Sequence, residues 1–200
     1  RLTGEGEIFF KQRRIGLGGE SFELIKFATM KKDSPSMAGG TITLKNDPRI
    51  LPFGKFLRST KLNELPQLIN IIRGEMSLIG PRPQTQRCFD AFPIGSQKAI
   101  SSVPPGLSGI GSLVFRNEDM MLQHDDADNF YDKVIMPYKG CLEEWYVSKR
   151  SVYLYLSLIF LTIWFVMFRR SNLIWKIFKT LPKPPHELHK YVGFNCLVKV

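Results

Sequence analysis

Cysteine is scarce in this chain, and the three present stand far apart. Cys88, Cys141 and Cys196 are odd in number and share no close spacing. That excludes a disulfide framework and any paired-cysteine zinc spacing, and it fits a reducing compartment. Histidine offers no metal centre either. His186 and His189 sit three apart behind Pro182, Pro184 and Pro185, with no other ligand cluster to join them. Acid is also in deficit: 18 Asp and Glu face 28 Lys and Arg, giving a net charge of +10 and a pI near 9.6. Such a balance favours anionic partners, whether nucleic acid, anionic lipid or phosphorylated small molecules. The chain starts at Arg1 rather than Met, so it reads as a fragment or a processed chain, and a leader or anchor upstream would not be visible. Long apolar runs are missing except for one, 151–168. That run argues against a nucleic-acid binder, which needs aromatics interleaved with basic residues on one surface.

What is present falls into four pieces. EIFFKQRRI and SFELIKFATM, joined by Gly16-Leu17-Gly18-Gly19, predict a β-hairpin over 8–30. The glycines do not form a nucleotide loop, because the G-x-G-x-x-G pattern fails and no helix follows. Residues 31–48, with Ser34, Pro35, Gly39, Gly40 and Asp47-Pro48, read as a loop of the kind that serves as a lid or binding loop. Over 49–74 the apolar spacing is helical. Pro66 forbids one continuous helix, so the pattern predicts a first helix ending near Ser59–Thr60 and a second capped near Asn63 and stopped by Gly74. Further on, 103–111 is rich in turn residues, and 119–146 is acidic and aromatic, helical from Asn129.

The run 151–168 holds no formal charge over 18 residues, just enough for a bilayer core of ~30 Å. Lys149-Arg150 and Arg169-Arg170 flank it, and aromatics gather at its ends, so membrane lipid is an expected partner. Spanning and lying in the interface are both open, and a buried core helix is the plainer alternative. Residues 171–200 read as a peripheral, basic, amphipathic tail.

The segment Lys61–Pro83, KLNELPQLINIIRGEMSLIGPRP, carries the chemistry. Glu64 lies at a predicted helix start, where free N–H groups and the dipole attract anions. Arg49, Lys55, Arg58, Arg73 and Arg82 stand within a few dozen residues, and arginine is the preferred bidentate phosphate partner. A carboxylate among them can hold Mg²⁺, attack phosphorus or act as a base. On spacing alone, Asn63 as a cap, Glu64 as a first-turn acid and solvated arginines explain the same residues.

The motifs then resemble a known family. Ile8-Phe9-Phe10-Lys11-Gln12, Arg14-Ile15-Gly16, Lys26-Phe27, Asp47-Pro48-Arg49-Ile50, Phe53-Gly54-Lys55-Phe56-Leu57-Arg58, Asn63-Glu64-Leu65-Pro66-Gln67-Leu68, Gly74–Pro83 and Pro105–Gly109 occur in order. Over roughly residues 8–170 they are similar to the bacterial sugar transferases, small monotopic phosphoglycosyl transferases. The resemblance implies transfer of a sugar 1-phosphate from a UDP-sugar to polyprenyl (undecaprenyl) phosphate, with release of UMP and use of Mg²⁺. That reaction opens exopolysaccharide, O-antigen or glycan assembly at the cytoplasmic face of the bacterial inner membrane. It also implies a re-entrant helix upstream of the hairpin. The fold expected is α+β, mainly helical with an N-terminal β-hairpin and a membrane-associated C-terminal helix. The expected division is a catalytic domain over 1–150, a membrane-associated helix over 151–170 and a tail over 171–200.

Carried over residue by residue, the family's catalytic Asp falls at Asn63 and its Glu at Glu64, the tentative metal ligand. Lys26, Arg58 and Arg82 match functional cations, and Glu143 matches a further acid. Three positions depart from the family pattern: Asn63 has no anionic oxygen, Ala28 replaces an arginine, and Tyr155 replaces an acid in the last helix. Asn63 leaves three readings open: Glu64 takes over as nucleophile or activates direct attack by the acceptor, another acid such as Glu143 serves, or the chain binds nucleotide-sugar or a partner glycosyltransferase as a catalytically impaired scaffold. Sugar identity, carrier length and oligomeric state are not encoded in these motifs.

Overall fold

In the computed structural model of the protein, the described residues are 5–34, 47–116, 118, 121, 127–168 and 172–194. The predicted hairpin is present. Strands β1 (Phe9–Ile15) and β2 (Ser21–Phe27) pair antiparallel with Phe9 opposite Phe27 and Phe10 opposite Lys26. Their connection turns through Gly18 and Gly19 at φ +70° and +80°, backbone that residues with a Cβ rarely adopt. Of the predicted loop 31–48, residues 35–46 lie outside the described residues.

Helix α1 (Pro52–Ser59) begins with proline in its first turn and stops where predicted. The next helix does not start at Asn63. Residues Leu62–Glu64 form a 3-10 turn instead, entered through Lys61 at φ +61°, and α2 (Gln67–Ile72) begins only after Pro66. The cause is Pro66, which has no N–H to bond back to Leu62, so only the short bonds Glu64 N–H to Lys61 O and Leu65 N–H to Leu62 O form, each 3.1 Å. Asn63 therefore caps no helix. Gly74 ends α2 as expected, at φ +76°.

Strands β3 (Ser77–Ile79) and β4 (Gly106–Ser108) make a second, parallel pair. Around them lie α3 (Gln86–Asp90), α4 (Ile94–Ser101) and α5 (Ile110–Val114). One helical stretch then runs through α6 (Ala127–Phe130), a π-helical segment Tyr131–Ile135 and α7 (Met136–Ser148). The widened turn precedes Pro137, whose missing N–H cannot continue the regular ladder. Helix α8 (Val152–Met167) follows, then α9 (Leu173–Ile177). The architecture is α+β and largely helical, with two small two-stranded sheets.

The 16 residues of α8 rise only about 24 Å at ~1.5 Å each. No described helix is long and apolar enough to cross a membrane. One face of α8, Leu154, Leu158, Leu161 and Phe165, is buried in the core, while Val152, Leu156, Phe160, Ile163 and Met167 are exposed. Two hydroxyl pairs fix the helix against both strands of the parallel sheet: Tyr155 with Ser77 of β3 at 3.0 Å, and Thr162 with Ser108 of β4 at 2.8 Å. The hydroxyl of Tyr155 thus meets strand β3.

The tail is not peripheral. Ile174, Trp175, Phe178, Leu181, Leu188 and Val192 are buried and belong to the same apolar cluster as α5, α7 and α8. Their apolar side chains are spaced to close over that core, and two polar contacts hold them: Trp175 Nε1–H donates to Val192 O at 3.0 Å and Tyr138 O–H to Pro182 O at 2.7 Å.

Candidate active site

A cavity of about 650 Å³ opens between the hairpin, the start of α1, the 3-10 turn, the Pro81-Arg82-Pro83 segment and the helical stretch 131–139. That volume lies in the range of small-molecule sites. Each wall reaches it for a local reason. Along β1, Gln12 and Arg14 are half-buried and Lys11 and Arg13 exposed, and Lys11, Gln12 and Arg14 all border the cavity. Lys26 comes from β2, Arg58 from the last turn of α1, Asn63 from the 3-10 turn, and Arg82 from between two prolines that fix its backbone.

The structure brings together most of the predicted site. Lys26, Arg58, Asn63 and Arg82 line the cavity. Glu64 is adjacent but turned to the cations: Arg82 Nη2 donates to its Oε1 at 2.6 Å, and Lys26 Nζ lies 3.9 Å from the same oxygen. Burial alone would raise the Glu64 carboxyl, but Arg82, Lys26 and the Arg82 hydrogen bond outweigh it and hold the group at about 2. Burial and the nearby Arg82 push the Lys26 ammonium down to about 7 against the pull of Glu64. Burial and Arg82 lower Arg14 in the same way. The cavity is thus a cation-rich pocket in which each positive charge raises the cost of the next, and an anionic ligand relieves it.

Asn63 is buried, and its Oδ1 has no hydrogen-bond partner among the described residues. An orphaned buried acceptor is expensive unless something reaches it. Ala28 also lines the cavity, so no cation enters from that position.

Three predicted residues stand apart. Arg49 is 3% exposed and committed to Asp47, with Nη2 to Oδ2 at 2.6 Å and Nη1 to Ser34 O at 2.9 Å. It touches the cavity wall but braces the 47–51 segment. Lys55 is exposed and does not line the cavity. Glu143 is buried on α7 behind the wall, where its carboxyl accepts a hydrogen bond from the backbone N–H of Gly111, and burial pushes it up to about 8 despite Lys139.

Other residues line the cavity that were not among the predicted site residues: Arg14, Glu118, Tyr131 and Lys139. The alternation of Gln12 and Arg14 along β1 carried a signal for the first. The others arrive from a stretch more than thirty residues beyond Arg82 in the chain, and nothing local in the sequence announces them. Lys139 Nζ donates to Glu118 Oε1 at 2.5 Å and sits over the rings of Phe115 and Tyr131, at 5.1 Å and 5.4 Å from their centroids. Among the described residues no group of three or more His, Cys, Asp or Glu is placed to hold a metal ion.

A family model described as bacterial sugar transferase matches residues 1–169. The exopolysaccharide production protein ExoY of Rhizobium meliloti is 36% identical over 132 residues, 59% of this chain and 58% of that protein. The UDP-glucose:undecaprenyl-phosphate glucose-1-phosphate transferase of Xanthomonas campestris is 47% identical over 113 residues, 54% of this chain and 23% of that protein. A protein of Bacillus subtilis named putative undecaprenyl-phosphate N-acetylgalactosaminyl 1-phosphate transferase is 37% identical over 111 residues, 56% of this chain and 58% of that protein. The matches thus span less than two thirds of the length of these relatives.

Proposed function

Because the chain belongs to the bacterial sugar transferase family, we propose that it moves a sugar 1-phosphate from a UDP-sugar to polyprenyl phosphate and releases UMP. The observation that carries this reading is the convergence of Lys26, Arg58, Arg82 and Arg14 on one cavity beside Asn63 and Glu64. A diphosphate there meets several charge-assisted donors at once. Arg82, already oriented by Glu64, holds the phosphoryl oxygens that gain charge as the bond to UMP breaks, and Lys26 regains full charge when the diphosphate sits beside it.

Asn63 Oδ1 is an unpartnered oxygen in the cavity, but Glu64 does not line it and its Oε1 is held by Arg82, so these residues offer Mg²⁺ one neutral oxygen and the substrate phosphates and water would supply the rest. Mg²⁺ held there would screen the charge of the diphosphate.

The acceptor is a lipid, and the exposed apolar residues of α8, together with Leu68, Ile69 and Ile72 on α2, support seating on the cytoplasmic leaflet of the inner membrane. The products would enter exopolysaccharide, O-antigen or glycan assembly. A donor screen on the full-length protein with Mg²⁺ and undecaprenyl phosphate, scored by UMP release, tests the reading. Release with one donor is the expected result, and no turnover with any donor would sink it.

Asn63 favours a second reading, because an amide is a poor nucleophile. On that reading the protein binds nucleotide-sugar, or a partner glycosyltransferase, as a scaffold. UDP-sugar binding by calorimetry with no UMP release marks this case.

A further inference from the structure

Asn63 and Glu64 leave the cavity without an obvious attacking anion. Asn63 lines it but carries an amide. Glu64 is not among the lining side chains, and its Oε1 is held by Arg82. Three carboxylates do line the cavity: Glu5, Glu7 and Glu118. The first two are exposed and engage the far rim, Glu5 accepting from the Lys32 N–H and Glu7 pairing with Lys32 Nζ at 3.0 Å. Glu118 stands on the opposite wall with Tyr131 and Lys139, close enough to Arg82 to raise its basicity.

We propose that Glu118 supplies the nucleophile that position 63 lacks. The proposal rests on the phosphoglycosyl-transferase reading and adds to it the group that carries the covalent intermediate. Glu118 has one side-chain partner among the described residues: Lys139 Nζ, which holds Oε1 at 2.5 Å. Lys139 is itself fixed between Phe115 and Tyr131. The clamp orients a carboxylate that lines the cavity. Its side chain is 27% exposed, enough to meet a ligand and too little to swing freely in solvent.

The step balances without any further reagent. A Glu118 oxygen attacks the β-phosphorus of the UDP-sugar, the bond from that phosphorus to UMP breaks, and UMP leaves with the electron pair. A glutamyl phosphosugar remains. An oxygen of the polyprenyl phosphate then attacks the same phosphorus, and the acyl–phosphate bond breaks to regenerate the carboxylate. Lys139 moves from carboxylate to developing phosphoryl charge with little motion, and Arg82 faces the same phosphorus from the Glu64 side.

The experiment uses the full-length protein and UDP-sugar labelled with ³²P at the β-phosphate, first without acceptor. The protein is quenched, digested and mapped by peptide fragmentation. The expected result is a hydroxylamine-labile label on Glu118 that is chased into lipid by undecaprenyl phosphate. Glu118→Gln should lose the label and roughly 10³-fold or more of the UMP release, as removal of an attacking group does. Mapping the wild-type label needs no variant, so a Glu118→Gln protein that misfolds does not blunt the test. Label on Glu64, or UMP release with no covalent label, overturns the proposal and leaves the transferase reading standing. Neither label nor UMP release with any donor removes both.

Discussion

Among the acids of the chain, Glu64 and Glu143 sit in opposite surroundings. Glu64 is held at about 2 by cations that overcome its burial, so it is ionised at any working pH. Glu143 is 4% exposed, and burial pushes it to about 8, so at neutral pH it keeps its proton. Its Oε2 has no partner among the described residues, and its carboxyl accepts from the backbone of Gly111 at the start of α5. A protonated carboxyl and an amide are close in shape, and both offer an oxygen to that N–H. Between the ordinary value of 4.5 and about 8 the unfolded chain has released this proton while the folded chain retains it, so the group costs stability as pH rises through that window. Glu143→Gln should therefore match wild type near pH 4 and melt at a higher temperature than wild type near pH 8–9. Thermal melts across pH check this. UMP release should stay within a few-fold, and a loss of ~10³-fold would return Glu143 to the catalytic machinery.

At the scale of elements, α1 is a lever for the cavity. Gly54 is buried against the chain just beyond β2, where a Cβ would run into the backbone carbonyl of Thr29. The same carbonyl accepts from Leu51 N–H at 3.0 Å, and Met30 bridges Ile50. Gly54→Ala must push α1 off this seat, at a cost of about 1–3 kcal/mol. Arg58, one turn further on, moves with it. The expected outcome is a KM for the sugar donor raised about tenfold with kcat changed less, read from initial rates; an unchanged KM would mean that α1 does not set Arg58.

Local patterns carried the elements that local forces set. Alternation and a glycine turn gave the hairpin, and Gly74 gave the end of α2. What stayed hidden depends on distant chain. Asn70, wholly buried, reads as one more helical residue. Yet its Oδ1 accepts from Ile25 N–H at 3.1 Å and its Nδ2 donates to Glu23 O at 2.8 Å and Glu75 Oε2 at 2.7 Å, fastening the hairpin to α2. The site divides in the same way. Motif spacing named Lys26, Arg58, Asn63 and Arg82, whereas Glu118 and Lys139 line the same cavity from chain far beyond Arg82. Motifs also proposed Glu143, which burial keeps protonated, and Arg49, which is paired with Asp47.

At the scale of the whole molecule, the tail after α8 is structural. Six of its apolar side chains, Ile174, Trp175, Phe178, Leu181, Leu188 and Val192, are buried, and the Phe178 ring packs tilted against Trp145 of α7, with centroids 5.6 Å apart. Burial of a large apolar side chain is worth ~1.5–3 kcal/mol, so six amount to roughly 10 kcal/mol. A domain has only ~5–15 kcal/mol of net stability to lose. Truncation after residue 170 removes these contacts and uncovers part of α7, and it takes away the Pro182 carbonyl that accepts from the Tyr138 hydroxyl. A peripheral tail would leave the rest folded, whereas a tail that completes the core would not. Chain 1–170 should therefore lose cooperative unfolding and near-ultraviolet circular dichroism, while chain 1–194, which keeps all six residues, should retain both. If 1–170 melts cooperatively within a few degrees of the intact chain, the tail contributes no core, and Trp145 and Tyr138 of α7 must be covered some other way.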